Sequence, residues 1–294
     1  MTPNNEIGEN NSDHKVIDCH IHLWELANLE KSWHPPDVLR HTFLASDLGE
    51  ASKSLSLEGC VLIESGTTTY DEASLWRLAQ PDTISAAITY LDVTDTDLES
   101  KLDIWEEKTK FRGVRIRLEG HPNPECIIGT QALENLRLLV SRKRIVEFLV
   151  TTDNLPTVLS VADKVPQLRF VIDHMGKPDL IDSNDEMLWQ EHMTLIAQNT
   201  NCHIKLSVSP RADQIEKVAS HTFKWSADVI RSKAELLLEQ FGPYRLMWGS
   251  DWPISRLTGN YQNTHEIMSF ALKNSNSDDR NRIFFATAKR FYSL

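Results

Sequence analysis

Short apolar, β-branched runs alternate along this chain with longer stretches whose apolar residues recur every three to four positions. The short runs are Val16–His20, Cys60–Glu64, Ile84–Thr89, Val114–Arg117, Ile145–Val150, Arg169–Ile172, His203–Leu206 and Leu246–Trp248, and each is predicted to be a strand. Helix-period segments fall between them at 45–57, 71–80, 95–109, 130–142, 154–163, 186–198 and 224–240, with 264–272 and 278–290 after the last strand. Such alternation implies parallel pairing, because each return to the same edge of a sheet needs a crossover. Eight units of this kind fit a (β/α)8 TIM barrel, which typically takes about 250 residues. A doubly wound open sheet would show a Gly-rich phosphate turn after its first strand, and that position reads DCHIHLW. No repeat, low-complexity run or Pro/Gly linker divides the chain, so residues 15–294 are expected to form a single barrel domain. Residues 1–14 offer almost nothing to bury and read as a disordered tail.

Composition narrows the partners. The 294 residues carry 31 Lys+Arg against 42 Asp+Glu, a net charge of −11, which argues against a general nucleic-acid surface. No stretch approaches the roughly 20 apolar residues that span a membrane, and the first residues have neither the basic nor the apolar region of a secretory signal. Cys19, Cys60, Cys126 and Cys202 are widely spaced and form no CxxC pair. A disulfide framework and a cysteine-type zinc site are therefore not expected, and the reading is a protein of the reducing cytoplasm. A homo-oligomer stays open.

Candidate chemistry gathers at strand ends. In Val16-Ile17-Asp18-Cys19-His20-Ile21-His22, strict alternation puts Asp18, His20 and His22 on one face and Ile17, Cys19 and Ile21 on the other. In a barrel the apolar set is expected to pack under the helices, with the histidines turned into the mouth. Two imidazoles one strand step apart can ligate one metal ion or orient one water; partly exposed histidines at a strand end are the plain alternative. The last strand runs into Gly249-Ser250-Asp251-Trp252-Pro253, placing Asp251 at the C-terminal end, where barrel active sites are built. It can serve as general base or simply cap the next helix. His174, in Ile172-Asp173-His174-Met175-Gly176-Lys177-Pro178, is a third histidine at a third strand end.

Parity also marks the fourth strand, where Val114 and Ile116 should face the helices and Arg115 and Arg117 the barrel interior. A buried guanidinium needs an anionic partner, either a protein carboxylate such as Glu64 or Asp92 or a carboxylate on the substrate. Lys205 raises the same question on the seventh strand. Trp24, Trp252 and His34, in Trp33-His34-Pro35-Pro36, are further candidates for the substrate wall.

Taken in order, IDCHIHLW, GVRIRL, VIDHMGKP, IKLS and MWGSDWP resemble the amidohydrolase-related family of lactone hydrolases, which includes sugar-acid lactonases and pyrone-dicarboxylate and sulfomuconolactone hydrolases. The resemblance runs from residue 16 to the final RFYSL and implies a (β/α)8 barrel. It also implies catalytic roles for His20, His22, His174 and Asp251, with Asp251 activating water. The same four residues would hold a single divalent ion such as zinc, or act with no metal at all. The binuclear members' carbamylated lysine has no counterpart on the arginine-bearing fourth strand. Departures fall at Glu64 (often Gln), Val208 (often Gly) and Thr287 (usually Asn). The expected activity is opening of a small lactone by Asp-activated water, with Arg115, Arg117, Glu64, Trp24, His34, Lys205 and Trp252 binding substrate. A metal-dependent decarboxylase of the same superfamily and a non-catalytic barrel that binds a sugar acid are the rival readings.

Overall fold

Residues 15–29, 33–66, 69–181, 184–220 and 225–294 are described by a computed structural model of the chain. The tail expected over 1–14 and the first residue of the helix expected from 224 lie outside the described residues.

Eight parallel strands follow one another around the sheet in chain order: β1 (Lys15–Ile21), β2 (Ser56–Ile63), β3 (Ile84–Tyr90), β4 (Phe111–Arg117), β5 (Ile145–Leu149), β6 (Phe170–Ile172), β7 (Cys202–Leu206) and β8 (Leu246–Trp248). The turn after β8 brings the sheet back to β1. Asp251 N donates to His20 O (2.9 Å) and His22 N donates to Trp252 O (2.7 Å), so the barrel nearly closes through the two segments richest in candidate chemistry. Helices such as Thr130–Ser141, Leu155–Lys164 and Ala227–Phe241 cover the outside, each burying an apolar stripe against the outward side chains of the strands. Among the described residues no helix is long and apolar enough to cross a membrane.

Two helical expectations shift. The segment expected helical over 45–57 stops at Ser52, and β2 already begins at Ser56 because its ladder starts with Lys15 opposite Ser56. Sheet pairing overrides the local pattern there. At the other end of the chain, the helical stretch runs from Ser277 to Tyr292 and contains a π-helical segment, Arg282–Ala286.

An inner apolar layer is built from Ile17, Cys19, Val61, Ile63, Ala86, Ile88, Ile145, Val171 and Met247, and the C-terminal residues Ala288, Phe291 and Tyr292 pack against it. Arg112 Nε donates to Tyr292 O (2.8 Å) and an Arg169 Nη donates to Phe291 O (2.8 Å). Both arginines sit at the beginnings of their strands, so the last helix stoppers the N-terminal end of the barrel. The C-terminal end is left as the open mouth.

The membership of this layer corrects the parity expected for β1. Ile17 and Cys19 face the interior, whereas Asp18 faces outward. There it accepts from Ser250 N (2.9 Å), His20 N (3.1 Å) and Tyr261 Oη (2.9 Å). The cause is a bulge: Asp18 pairs with Cys60 but Ile21 with Leu62, so β1 holds one more residue than β2 over that span. The extra residue flips the alternation, which sends Ile21 outward and still turns His20 and His22 inward.

Candidate active site

The mouth holds a cavity of about 540 Å³. His22, His174, Asp251, Arg115, Arg117, Glu64 and Trp24 line it, together with Trp33, Tyr90, Lys177 and Glu119. His20 lies just behind, fully buried. Three of the expected contacts do not reach the wall. Lys205 is completely buried beneath the site, Trp252 packs its ring edge-on against Phe43, and His34 is exposed outside the cavity.

Strain marks two of the strand ends. His174 has φ 51° and Asp251 φ 55°, the left-handed region that non-glycine residues seldom adopt and that costs on the order of 1–3 kcal/mol per residue. Gly249 makes the approach of the last strand to the first possible, because a Cβ there would lie 2.7 Å from His20 Cβ. Backbone geometry thus presses Asp251 against the histidine pair.

Three donor atoms converge. His20 Nε2 and His22 Nε2 are 3.2 Å apart, and Asp251 Oδ1 lies 3.7 Å from the first and 3.4 Å from the second. His22 Nδ1 points at the carbonyl of Ile63 (3.2 Å); a carbonyl only accepts, so Nδ1 carries the proton and Nε2 presents a lone pair. Tetrahedral zinc with bonds of 2.0–2.1 Å sets its ligand atoms roughly 3.3 Å apart. The spacing of this set and the tautomer of His22 fit one small divalent ion, while Lys205 Nζ stands 3.1 Å from His20 Nδ1. Asp173 Oδ1 lies 3.4 Å from His20 Nδ1 and 3.2 Å from the Lys205 ammonium that also meets that ring nitrogen. Asp251 Oδ2 is buried and has no hydrogen-bond partner among the described residues.

Beneath these groups lies an ionic cluster that sequence reasoning missed. Asp173 Oδ2 is 3.0 Å from Arg115 Nε and Oδ1 is 3.2 Å from Lys205 Nζ. Lys205 donates as well to Glu147, whose other oxygen accepts from Tyr292 Oη (2.6 Å). Protein carboxylates, Asp173 and Glu64, answer Arg115. The signal for Asp173 was present in its parity, two positions beyond the inward Val171; that for Glu147 was an acid inside an apolar strand run.

Burial sets the protonation states. It pushes His20 well below the ordinary imidazole value, reinforced by Lys205, and does the same to His174, where Asp251 opposes it only in part. Burial would raise Asp251, but the adjoining His174 and His22 rings outweigh it and hold the carboxyl at about 2. Asp173 stays below its usual range because Lys205 and Arg115 overcome its burial. At neutral pH the site therefore presents two neutral imidazoles, His20 and His174, beside an ionised Asp251. His174 Nδ1 meets Ser207 Oγ at 2.7 Å, so a hydroxyl donating there leaves the far nitrogen, Nε2–H, as donor.

A buried aspartate at the end of β8, histidines at the ends of β1 and β6, and a parallel eight-stranded barrel define a class, and the sequence agrees. Residues 17–294 match the profile of the Amidohydrolase family, to which this chain belongs. Among its curated relatives, an L-fucono-1,5-lactonase from Burkholderia ambifaria is 27% identical over 290 residues, 95% of each chain. The fold is shared by an amidohydrolase from Burkholderia multivorans crystallised with bound zinc, with a TM-score of 0.82 at 23% identity over 95% of this chain and 99% of that one. It is shared too by a probable 2-pyrone-4,6-dicarboxylic acid hydrolase from Acinetobacter baumannii with citric acid bound, with a TM-score of 0.74 at 18% identity over 95% and 99%.

Proposed function

We propose that this chain hydrolyses a small, neutral sugar lactone, with Asp251 as the base that activates water. The observation that carries the choice of substrate is the charge balance of the mouth. Arg115 is answered by Asp173 and Glu64, Arg117 approaches Glu64 at 3.5 Å, and Lys177 pairs with Glu119 at 2.6 Å. A dicarboxylate would arrive among cations that are already paired, and separating buried pairs is costly. A polyhydroxylated ring meets instead a set of fixed acceptors and donors beside Trp24 and Trp33. The lactonase relative supports the same class.

The division of labour follows from the two oxygens of Asp251. Oδ1 faces the imidazoles, and Oδ2 is the oxygen left to accept a proton from water. Attack on the ring carbonyl forms the new C–O bond and moves charge onto the carbonyl oxygen. There His174, backed by Ser207, is the neutral donor, a kind of preorganised group worth about 10²–10³ in rate. Collapse breaks the ring C–O bond, and the leaving alkoxide takes back the proton from Asp251, giving one hydroxy acid per water consumed. His20, His22 and Asp251 would hold a divalent ion, which when bound polarises a carbonyl or acidifies a water. Residues 15–294 act in this reading as one catalytic barrel, and the free cysteines favour a reducing compartment, the cytoplasm.

The test is a lactone panel spanning sugar 1,4- and 1,5-lactones and 2-pyrone-4,6-dicarboxylate, followed by proton release near neutral pH with and without chelator. Opening of sugar lactones, with a loss of about 10²–10⁴ in kcat for Asp251→Asn at unchanged Tm, is expected. Near-normal turnover by that variant removes Asp251 from its role. Carbon dioxide release with stoichiometric metal transfers the chain to the decarboxylases.

A further inference from the structure

Beside the mouth, and behind Arg117, lies a second cavity of about 190 Å³. Tyr90, Arg117 and His121 line both spaces, so the annex adjoins the mouth across these side chains. The proposed chemistry makes no use of it. We infer that the annex is a glycosyl subsite, and that the preferred substrate is a sugar lactone carrying a further sugar unit. This rests on the lactonase reading above and extends it.

Size is the first reason. A six-carbon sugar lactone has twelve heavy atoms and fills on the order of 180 Å³, the share of about six water molecules in the liquid. The mouth alone offers about 540 Å³, within the range of sites that enclose ligands of drug size. A single ring held against Asp251 leaves much of that room, and all of the annex, to a substituent.

Chemistry of the divide is the second. Arg117 approaches Glu64 Oε2 at 3.5 Å with its side chain 39% exposed. That contact leaves most of its five N–H donors for a ligand. Tyr90 stands beside it with an aromatic face and a phenolic hydroxyl. The annex wall combines buried apolar side chains, Leu91, Val93, Leu118 and Ile127, with the polar edge of Asp92 and Asn123. Thr94 donates to Asp92 Oδ1 through both its backbone N (2.8 Å) and its hydroxyl (2.7 Å), which fixes that carboxylate in the wall. A pyranose has the matching pattern, with C–H faces for the aliphatic groups and hydroxyls for the carboxylate and guanidinium. Among the described residues the divide offers no uncompensated cation for an anionic substituent.

Steady-state kinetics of the full chain on glucono-1,5-lactone and cellobiono-1,5-lactone, which differ by one glucosyl unit, test the assignment. The expected result is a kcat/KM at least tenfold higher for the glycosylated lactone. Cys126→Trp, which fills the annex from its partly buried wall, and Asn123→Trp, at its exposed rim, should abolish that preference and leave the simple lactone within twofold. The rim variant reads the same property should the buried one fold poorly. A chain that opens any simple lactone but gains nothing from the glucosyl unit, or that keeps its preference in a folded filled variant, overturns the annex alone. A chain that opens no lactone of either kind overturns the lactonase reading beneath it.

Discussion

Tyr292, in the last helix, offers a clean measurement of how the barrel floor is held. Its hydroxyl donates to Glu147 Oε1 at 2.6 Å, and the donor, like the acceptor, is fully or almost fully buried. Tyr292→Phe keeps the ring, its contact with Phe291 at 5.0 Å and the face that Lys205 Nζ overlies at 5.8 Å. The apolar burial is therefore unchanged. What disappears is one hydrogen bond to a buried carboxylate, whose other oxygen keeps Lys205. Bonds to charged groups contribute about 1.5–3 kcal/mol, and a buried acceptor left empty tends to the upper part of that range. At roughly 2–4 °C per kcal/mol for chains of 150–250 residues, and somewhat less for this longer chain, a loss of 2 kcal/mol predicts a fall in Tm of about 3–4 °C. Thermal melts of wild type and variant at one pH, with Tyr244→Phe as the exposed control, provide the assay. In a double-mutant cycle with Glu147→Gln the two losses should be less than additive, because both remove the same contact. A Tyr292→Phe protein melting within a degree of wild type would refute the reasoning, since the last helix would then owe nothing to this polar tie.

Three further outcomes follow from other parts of the structure. Lys205→Met strands Asp173 and Glu147 without the ammonium that joins them and should cost about 3–5 kcal/mol in urea unfolding, part of it recovered when Glu147→Gln is added. Gly249→Ala drives a methyl to within 2.7 Å of His20 Cβ; kcat/KM and bound metal by elemental analysis should both fall, with overpacking costing about 1–3 kcal/mol, and a variant normal in both measures defeats the close-approach argument. Burial holds His203 and His265 at about 4 against 6.5 in the open chain, so as pH falls the unfolded state binds these protons first. Their contribution is complete above pH 6.5 and is lost on the way down to about 4; Tm should decline through that window, and His203→Gln with His265→Gln should flatten the decline.

Much of this architecture was legible from local pattern. All eight strands appear where β-branched runs stand, and the inward turn of Arg115 follows from its alternation with Val114 and Ile116, which pack toward the helices. The histidines and Asp251 were placed at strand ends by counting residues. The reason for β1 was nevertheless wrong in part. Asp18 was grouped with His20 and His22, yet it faces the outer layer and ties the β1 strand to Ser250 and Tyr261. A one-residue bulge leaves no mark in hydrophobicity when every residue around it is buried. Lys205 was read as a substrate contact because an inward lysine needs an anion, and the anions proved to be Glu147 and Asp173.

The order of strands and helices, the inward faces of most strands and the residue types at the mouth are properties of the sequence by itself. They depend on side chains within one turn or one strand of each other, whose periodicity any segment carries with it. Register, the pairing of charges and the meeting of ligand atoms were decided only by the closed barrel. Lys205 finds His20 at a separation of 185 residues and Tyr292 finds Glu147 at 145, and those distances are set by the summed geometry of every intervening unit. A buried ion takes whichever counter-charge the fold brings within reach, so its partner becomes known only once the interior is assembled.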